Sequence, residues 1–201
     1  MAISSFAVSG NDAESIIQHV QKKYRELRDA TIAFSQTMQF GVMKTEQSFQ
    51  GTLYLRKPEQ YRLETDQQTI VTDGKSIWTF NKANNQVVID KYNPSPTTVT
   101  PERLLGELPS SSGVVLMGRE TVNGTECEVL KLIPKSKSLS SIRSLKLWVD
   151  PETWLMKKIQ SLDAGENTAT YSIESVRVDS NLADSLFTFK PSSTVEVIDL
   201  R

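Results

Sequence analysis

The 201-residue sequence contains one cysteine, one histidine, nearly balanced charges and no long hydrophobic run. Cys127 alone cannot form a disulfide within the chain, and together with His19 it offers too few ligands for a structural zinc site. A formal net charge of −1 does not favour binding to the phosphate backbone of a nucleic acid. No apolar run approaches the roughly 18 residues that a membrane-spanning helix needs, so we expect no stable membrane insertion.

Residues typical of catalytic sites are also sparse. His19 lies at the edge of a helical pattern without a neighbouring serine nucleophile and orienting carboxylate, so a surface position explains it best. Asp150 and Asp163 begin turn sequences, in which carboxylates commonly accept hydrogen bonds from local backbone. The nine glycines are scattered and form no phosphate-binding loop. The sequence therefore predicts neither an enzyme nor a cofactor site.

The first ten residues differ in composition from the rest of the chain. They combine a short apolar stretch and small residues with no preceding basic segment, so we interpret residues 1–10 as disordered or as the remnant of a secretory signal. No internal repeat or long linker divides the remainder. We therefore expect residues 11–201 to form a single domain.

A hydrophobic pattern with helical period opens this domain. Asn11 precedes Glu14 by the spacing of a capping box, which predicts a helix that starts near Asp12. The apolar stripe of this helix comprises Ala13, Ile16, Ile17, Val20, Tyr24 and Leu27. One side of the helix is therefore expected to be buried.

After this helix the period changes to two, which predicts a succession of strands. Strand-like runs lie at 31–40, 45–57, 61–65, 69–72, 76–81, 87–92, 114–121, 126–133, 144–149, 155–163, 168–178 and 194–198. Two dipeptides between such runs, Asp73-Gly74 and Asn123-Gly124, predict type I′ hairpin turns because their residues tolerate positive φ.

The strand pattern is interrupted between residues 93 and 113. Prolines bracket a short amphipathic segment, 101–108, which predicts a second helix with Thr100 as its N-cap. Its apolar face consists of Leu104, Leu105 and Leu108. Because a long antiparallel sheet curls and needs a partner for one face, we predict an α+β fold: an incomplete antiparallel barrel covered by helices.

Strict alternation in residues 51–57 places Leu53, Leu55 and Lys57 on one face of a strand and Arg56 on the other. A basic residue therefore ends a row of leucines. An ordinary filled core with a lysine at its rim explains this pattern more simply than an apolar pocket. Periodicity alone does not distinguish the two.

Five segments, taken in order, carry a family resemblance. They are GTLYLRKPEQYRLE (51–64), TDGKSIWTFNKANNQVVIDKY (72–92), LIPKSK (132–137), LKLWVDPETWLMKKIQSLDAGENT (145–168) and LFTFKPSSTVEVID (186–199). In this order and spacing, from residue 12 to residue 199, the chain resembles the periplasmic lipoprotein carriers of Gram-negative bacteria, the LolA-like proteins. The resemblance implies an incomplete barrel whose concave apolar interior is covered by helices that act as a lid.

The resemblance also implies a task in the periplasm. A monomeric carrier would take acylated lipoproteins from an inner-membrane lipoprotein-releasing ABC transporter, shield their acyl chains and deliver them to an outer-membrane lipoprotein receptor. Each methylene kept from water contributes ~0.8 kcal/mol, so transfer through an aqueous compartment favours an enclosed apolar host.

Site residues follow from the same resemblance. The acyl-chain-binding cavity would be lined by Leu53, Leu55, Tyr61, Leu63, Trp78 and Phe80. The lid would present Ile16, Ile17 and Val20 from the first helix and Leu104, Leu105 and Leu108 from the second.

In the family, a basic residue before the proline of the second long strand gates the lid by hydrogen bonds to backbone carbonyls. Lys57 occupies this position here, where the family usually has arginine, and the neighbouring Arg56 could replace it only after a local shift. An ammonium offers three donors at one point, whereas a guanidinium offers five in a fork. We therefore expect the lid to be looser or to be fastened differently.

Three alternatives from other functional classes share this fold. An outer-membrane lipoprotein receptor would itself carry a lipid, for which the chain has no N-terminal cysteine. A lipid- or lipoprotein-sensing regulatory module would usually carry a second domain. An enzyme, as in one pigment pathway, would need polar groups within the cavity.

Overall fold

The computed structural model describes residues 10–41, 44–93, 112–135 and 142–201. Within these ranges the chain forms one α-helix, α1 (Gly10–Glu26), and twelve strands. The strands are β1 (Asp29–Phe40), β2 (Thr45–Arg56), β3 (Gln60–Thr65), β4 (Gln68–Thr72), β5 (Ser76–Asn81), β6 (Gln86–Lys91), β7 (Ser112–Val122), β8 (Thr125–Pro134), β9 (Ile142–Val149), β10 (Met156–Asp163), β11 (Thr168–Val178) and β12 (Glu196–Asp199). The helix begins two residues before its predicted start, so Asn11 lies within it rather than at its cap.

All twelve strands belong to one curved, open sheet. Their order is β12-β6-β5-β4-β3-β2-β1-β11-β10-β9-β8-β7. Neighbouring strands are antiparallel except for β12, which runs parallel to β6. The pairing of β1 with both β2 and β11 joins the two halves of the sheet. The predicted antiparallel half-barrel is thereby confirmed.

Of the two predicted type I′ hairpin turns, one is present and the other is replaced by a different turn. Asn123 and Gly124 both have positive φ, 48° and 79°, as a type I′ turn requires. At the other position only Gly74 has positive φ, and the Asp73 carboxylate instead accepts hydrogen bonds from the N–H groups of Lys75 and Ser76, each at 2.8 Å. A side-chain-stabilised turn of three residues therefore replaces the predicted type I′ turn.

The predicted cover of several helices is not supported, because α1 is the single α-helix in the ranges that the structure describes. The segment 101–108, with Leu104, Leu105 and Leu108, lies outside the described residues. In the described part of the chain, no helix combines the length and apolar character needed to cross a bilayer.

The apolar stripe of α1 packs against one face of the sheet, which we call the inner face. Ile16, Ile17 and Val20 are buried, as predicted. Their partners in the buried cluster lie mainly on β8, β9 and β10: Leu130, Leu132, Leu145, Leu147, Val149, Met156 and Ile159. The helix therefore lies over the half of the sheet that consists of β7 to β11.

The C-terminal segment, residues 179–195 between β11 and β12, covers part of the opposite, outer face. Its 3-10 helix, Asp184–Phe187, buries the Phe187 side chain to 1% exposure. Phe189 contacts Phe80 at a ring-centroid distance of 5.2 Å. The segment then continues into β12 at the edge of the sheet.

Candidate functional site

Apolar residues on neighbouring strands form two aligned rows on the inner face. Antiparallel partners share a face, so the pairs Ile32–Leu53, Leu53–Leu63 and Leu63–Ile70 form one row across β1 to β4. The adjacent row comprises Ala30, Leu55 and Tyr61 and ends at the buried polar residue Thr72. Leu53, Leu63 and Ile70 remain half-buried. Four predicted lining residues, Leu53, Leu55, Tyr61 and Leu63, are thus brought together on the face against which α1 packs.

Trp78 and Phe80 lie on the outer face, contrary to the expected common lining. Trp78 pairs with Val71, which pairs with Arg62, so these three side chains share a face. Leu63 is the next residue after Arg62 on β3 and therefore points to the opposite, inner face. Phe80 contacts Phe189 of the C-terminal segment. Because the side-chain period of a strand is two, a shift of one residue in register moves a whole strand pattern to the other face.

A cavity of about 220 Å³ lies beneath the last turn of α1. Tyr24 and Leu27 contribute to its wall from the helix side, and Ala30 and Leu55 from β1 and β2. Leu55 also belongs to the second inner-face row and lies beside Leu53 on the same face of β2. The cavity beneath α1 is therefore contiguous with the apolar rows.

Lys57 joins the end of β2 to the end of α1. Its ammonium donates hydrogen bonds to the carbonyl oxygens of Tyr24 and Arg25, the second at 2.8 Å. Its own backbone N–H donates to the carbonyl of Arg28 at 3.1 Å. Lys57 also lines the cavity beneath the helix. The predicted contact of this lysine with helix backbone carbonyls is present.

The end of a helix explains why a cation lies at this position. The last four carbonyl groups of an α-helix lack partners within the helix, and Tyr24 and Arg25 belong to these four residues. The helix dipole also places partial negative charge there, which favours a nearby cation. Lys57 therefore satisfies two carbonyls and interacts favourably with the dipole, although it has a single ammonium in place of the fork of arginine.

Tyr24 fixes the same helix end through its side chain. Its hydroxyl oxygen accepts a hydrogen bond from the N–H of Met156 at 3.3 Å. Burial raises the pKa of Tyr24 to about 12, an increase that this hydrogen bond partly opposes. The sequence placed Tyr24 in the apolar stripe, but no sequence signal indicated that its carbonyl would face Lys57.

The Arg56 side chain binds structures on the outer face, although Arg56 also borders the cavity beneath α1. Its guanidinium donates to the Asp184 carboxylate at 2.5 Å and to the Leu182 carbonyl at 3.1 Å. It also lies over the Phe187 ring, 4.4 Å from the centroid. The prediction that alternation points Arg56 away from Lys57 is confirmed. Its role as an alternative gate is corrected, because its contacts are with the C-terminal segment.

Two aspartates that sequence reasoning missed connect the end of α1 to the chain after β11. Asp29 is buried, and its carboxylate accepts hydrogen bonds from the N–H groups of Ser180 at 2.7 Å and Leu182 at 3.3 Å. Asp179 accepts one from the N–H of Arg28 at 2.9 Å. That backbone bond, with Arg28 nearby, lowers the pKa of Asp179. These contacts join residues 151 or more positions apart, which no local pattern could indicate.

A family model described as outer membrane lipoprotein carrier protein LolA matches residues 25–190. The chain belongs to the LolA family. The match includes strands β1 to β11, and it begins within the last turn of α1.

Other proteins are similar to this chain in sequence or in fold. An outer-membrane lipoprotein carrier protein of Haemophilus influenzae is 25% identical over 209 residues, which cover 100% of this chain and 93% of that protein. An uncharacterized protein of Methanocaldococcus jannaschii is 24% identical over 90% of this chain. The chain spans about half, 52%, of the length of that relative. A solved structure of an uncharacterized conserved protein from Thermus thermophilus has the same fold, with a TM-score of 0.62 and 13% identity over 94% of this chain and 99% of that one.

Proposed function

We propose that this LolA-family protein is a periplasmic carrier, formed by a single domain of residues 11–201, that binds the acyl chains of lipoproteins. The chains would lie on the inner face, along Leu53 and Leu63, and continue beneath α1 past Leu55. The observation that carries the proposal is the position of Lys57, which holds the last turn of α1 at the rim of an apolar cavity.

Two states are compared: a closed state, in which Lys57 binds the end of α1, and a cargo-bound state, in which an acyl chain displaces it. Their energies are similar enough for the two states to exchange. Lys57 is exposed to solvent, so the two bonds from its ammonium to α1 together contribute about 1–3 kcal/mol. At ~0.8 kcal/mol for each methylene removed from water, about one to four methylenes offset that amount. One long acyl chain is therefore sufficient to displace the helix end, and closure by Lys57 in turn favours release.

The partners follow from this function. As a carrier between two membranes, the protein would accept lipoproteins from an inner-membrane ABC transporter and deliver them to an outer-membrane receptor, acting as a monomer. The names of the Haemophilus relative and of the family describe an outer-membrane lipoprotein carrier rather than an enzyme, which supports assignment as a carrier.

Native mass spectrometry provides the test. The protein is titrated with a triacylated lipopeptide and, as the matched control, with the same peptide without its acyl chains. We expect a 1:1 complex with the acylated form alone. Binding of both peptides, or of neither, would overturn the proposal, because the inner face would then not recognise acyl chains.

A further inference from the structure

We propose that Arg56 is a positioning residue for Lys57: its contacts with the C-terminal segment on the outer face determine how firmly Lys57 holds α1 on the inner face. This inference rests on the proposed function, in which Lys57 closes the cavity. It adds a second component to the closure mechanism, which acts through the C-terminal segment on the outer face of the sheet.

The two residues are consecutive and their side chains bind structures on opposite faces. Lys57 bonds the carbonyls of Tyr24 and Arg25 in α1. Arg56, the last residue of β2, bonds the Asp184 carboxylate and the Leu182 carbonyl of the C-terminal segment. Any displacement of the β2 end that relaxes one set of contacts changes the geometry of the other.

Several contacts of different kinds hold the Arg56 side chain. It is 22% exposed, and its guanidinium lies over Phe187, which is 1% exposed. It also donates to Gln60 on β3 at 2.8 Å. The Asp184 side chain is 95% exposed, so solvent screens this ion pair strongly. The ring stacking and the bond to the Leu182 carbonyl are therefore expected to provide most of the attachment.

The same stretch of chain is held from β1. Asp29 is the register partner of Arg56, and its carboxylate accepts hydrogen bonds from the N–H groups of Ser180 and Leu182. Leu182 is thus bound by both partners of one cross-strand pair. This arrangement fixes the C-terminal segment to the strand ends next to α1. A partner that draws Leu182 and Asp184 away from Arg56 would therefore weaken the contact of Lys57 with α1 without touching the helix.

Hydrogen exchange in the absence of cargo tests the coupling. The variants are Arg56→Met, Lys57→Met and the double variant, and the readout is exchange of the amides of residues 21–27. Arg62→Met is the matched control, because Arg62 also lies on the outer face and donates to the C-terminal segment, at Leu186. Asp184→Ala is a second, exposed perturbation that leaves Arg56 in place.

We expect Arg56→Met to accelerate this exchange by about threefold or more when Lys57 is present, and to add little in the Lys57→Met background, as for residues that act through one another. Asp184→Ala should have a smaller effect in the same direction. Equal acceleration by Arg62→Met, or additive effects of Arg56→Met and Lys57→Met, would overturn the proposal. Because no cargo is present, this outcome is independent of whether the acylated peptide binds.

Discussion

The ammonium of Lys57 lies 2.8 Å from the carbonyl oxygen of Arg25, so the end of β2 is bonded directly to the last turn of α1. The same ammonium also donates to the Tyr24 carbonyl. Beneath these bonds lies the cavity that connects to the apolar rows of the inner face. The bonds from Lys57 therefore hold the end of α1 over the cavity, and cargo that enters the cavity would have to displace this helix end.

Replacement of Lys57 by leucine should shift the equilibrium towards the open form. With the two bonds to α1 removed, the closed and empty state loses stability relative to the cargo-bound state, so acylated peptide should bind about tenfold more tightly or more and dissociate more slowly. Dissociation rates of a fluorescent acylated peptide measure the effect.

Lys57→Arg is the control for this prediction. A guanidinium can bond the same carbonyls, so release should remain as fast as in the wild type or become faster. The melting temperature of Lys57→Leu should fall by only a few degrees. A large fall would show instead that Lys57 is required for the fold.

Polar substitution at Leu63 should weaken binding of acyl chains. Leu63 lies on the inner face between Leu53 and Ile70, and burial of one such side chain contributes about 1.5–3 kcal/mol, so Leu63→Gln should reduce affinity about tenfold or more. Phe80→Ala is the matched control on the outer face, where Phe80 contacts Phe189. It should lower the stability of the fold and leave affinity unchanged. The opposite pattern in a lipopeptide titration would assign the acyl site to the outer face.

Stability at high pH should depend on Tyr24. Its pKa is raised to about 12 in the folded protein, against 10.0 for an ordinary tyrosine, because burial disfavours the phenolate. The resulting stabilisation is complete below pH 10 and is lost as the pH rises through 12, at up to about 1.4 kcal/mol for each pH unit.

Tyr24→Phe isolates this contribution. The variant loses the hydrogen bond from Met156 and should be less stable than the wild type by about 1 kcal/mol at neutral pH. Between pH 10 and 12 the difference should shrink or reverse, since phenylalanine does not ionise. Urea unfolding at a series of pH values measures both curves, and parallel curves over that interval would contradict the assigned pKa.

Gly51 should be intolerant of a side chain. A Cβ atom at this position would lie 2.8 Å from the Phe34 ring and 2.8 Å from the Glu64 carbonyl oxygen. Gly51→Ala should therefore destabilise the fold by about 1–3 kcal/mol, as in other overpacked sites. The double variant with Phe34→Leu should recover part of this loss in a thermal unfolding experiment, because the backbone contact remains. Full tolerance of alanine would contradict the close approach of β1 and β3 to this glycine.

Local sequence patterns predicted the positions of the strands well. They predicted less well which face of the sheet each side chain occupies. The bounds of β5 and β11 are those predicted, because alternation and turn residues are local properties. The prediction that Leu53 and Trp78 share a face was wrong, because the face of each side chain depends on the strand register across β3 and β4.

The closing contact was predictable only in part. The position of Lys57 before a proline indicated its role through the family resemblance, and alternation correctly separated it from Arg56. The partners of Asp29 could not be predicted, because they lie across the sheet in the chain after β11. Pairings of this kind are fixed by tertiary packing rather than by local sequence.

Photolabelling would test most directly whether acyl chains bind on the inner face beneath α1. A lipopeptide with a diazirine in one acyl chain is bound and irradiated, and the labelled residues are located by mass spectrometry. We predict labels at Leu53, Leu55 and Leu63 and at the last turn of α1, and their loss when unlabelled acylated peptide competes. Labels concentrated at Trp78 and Phe80, or no label that acylated peptide displaces, would contradict the account.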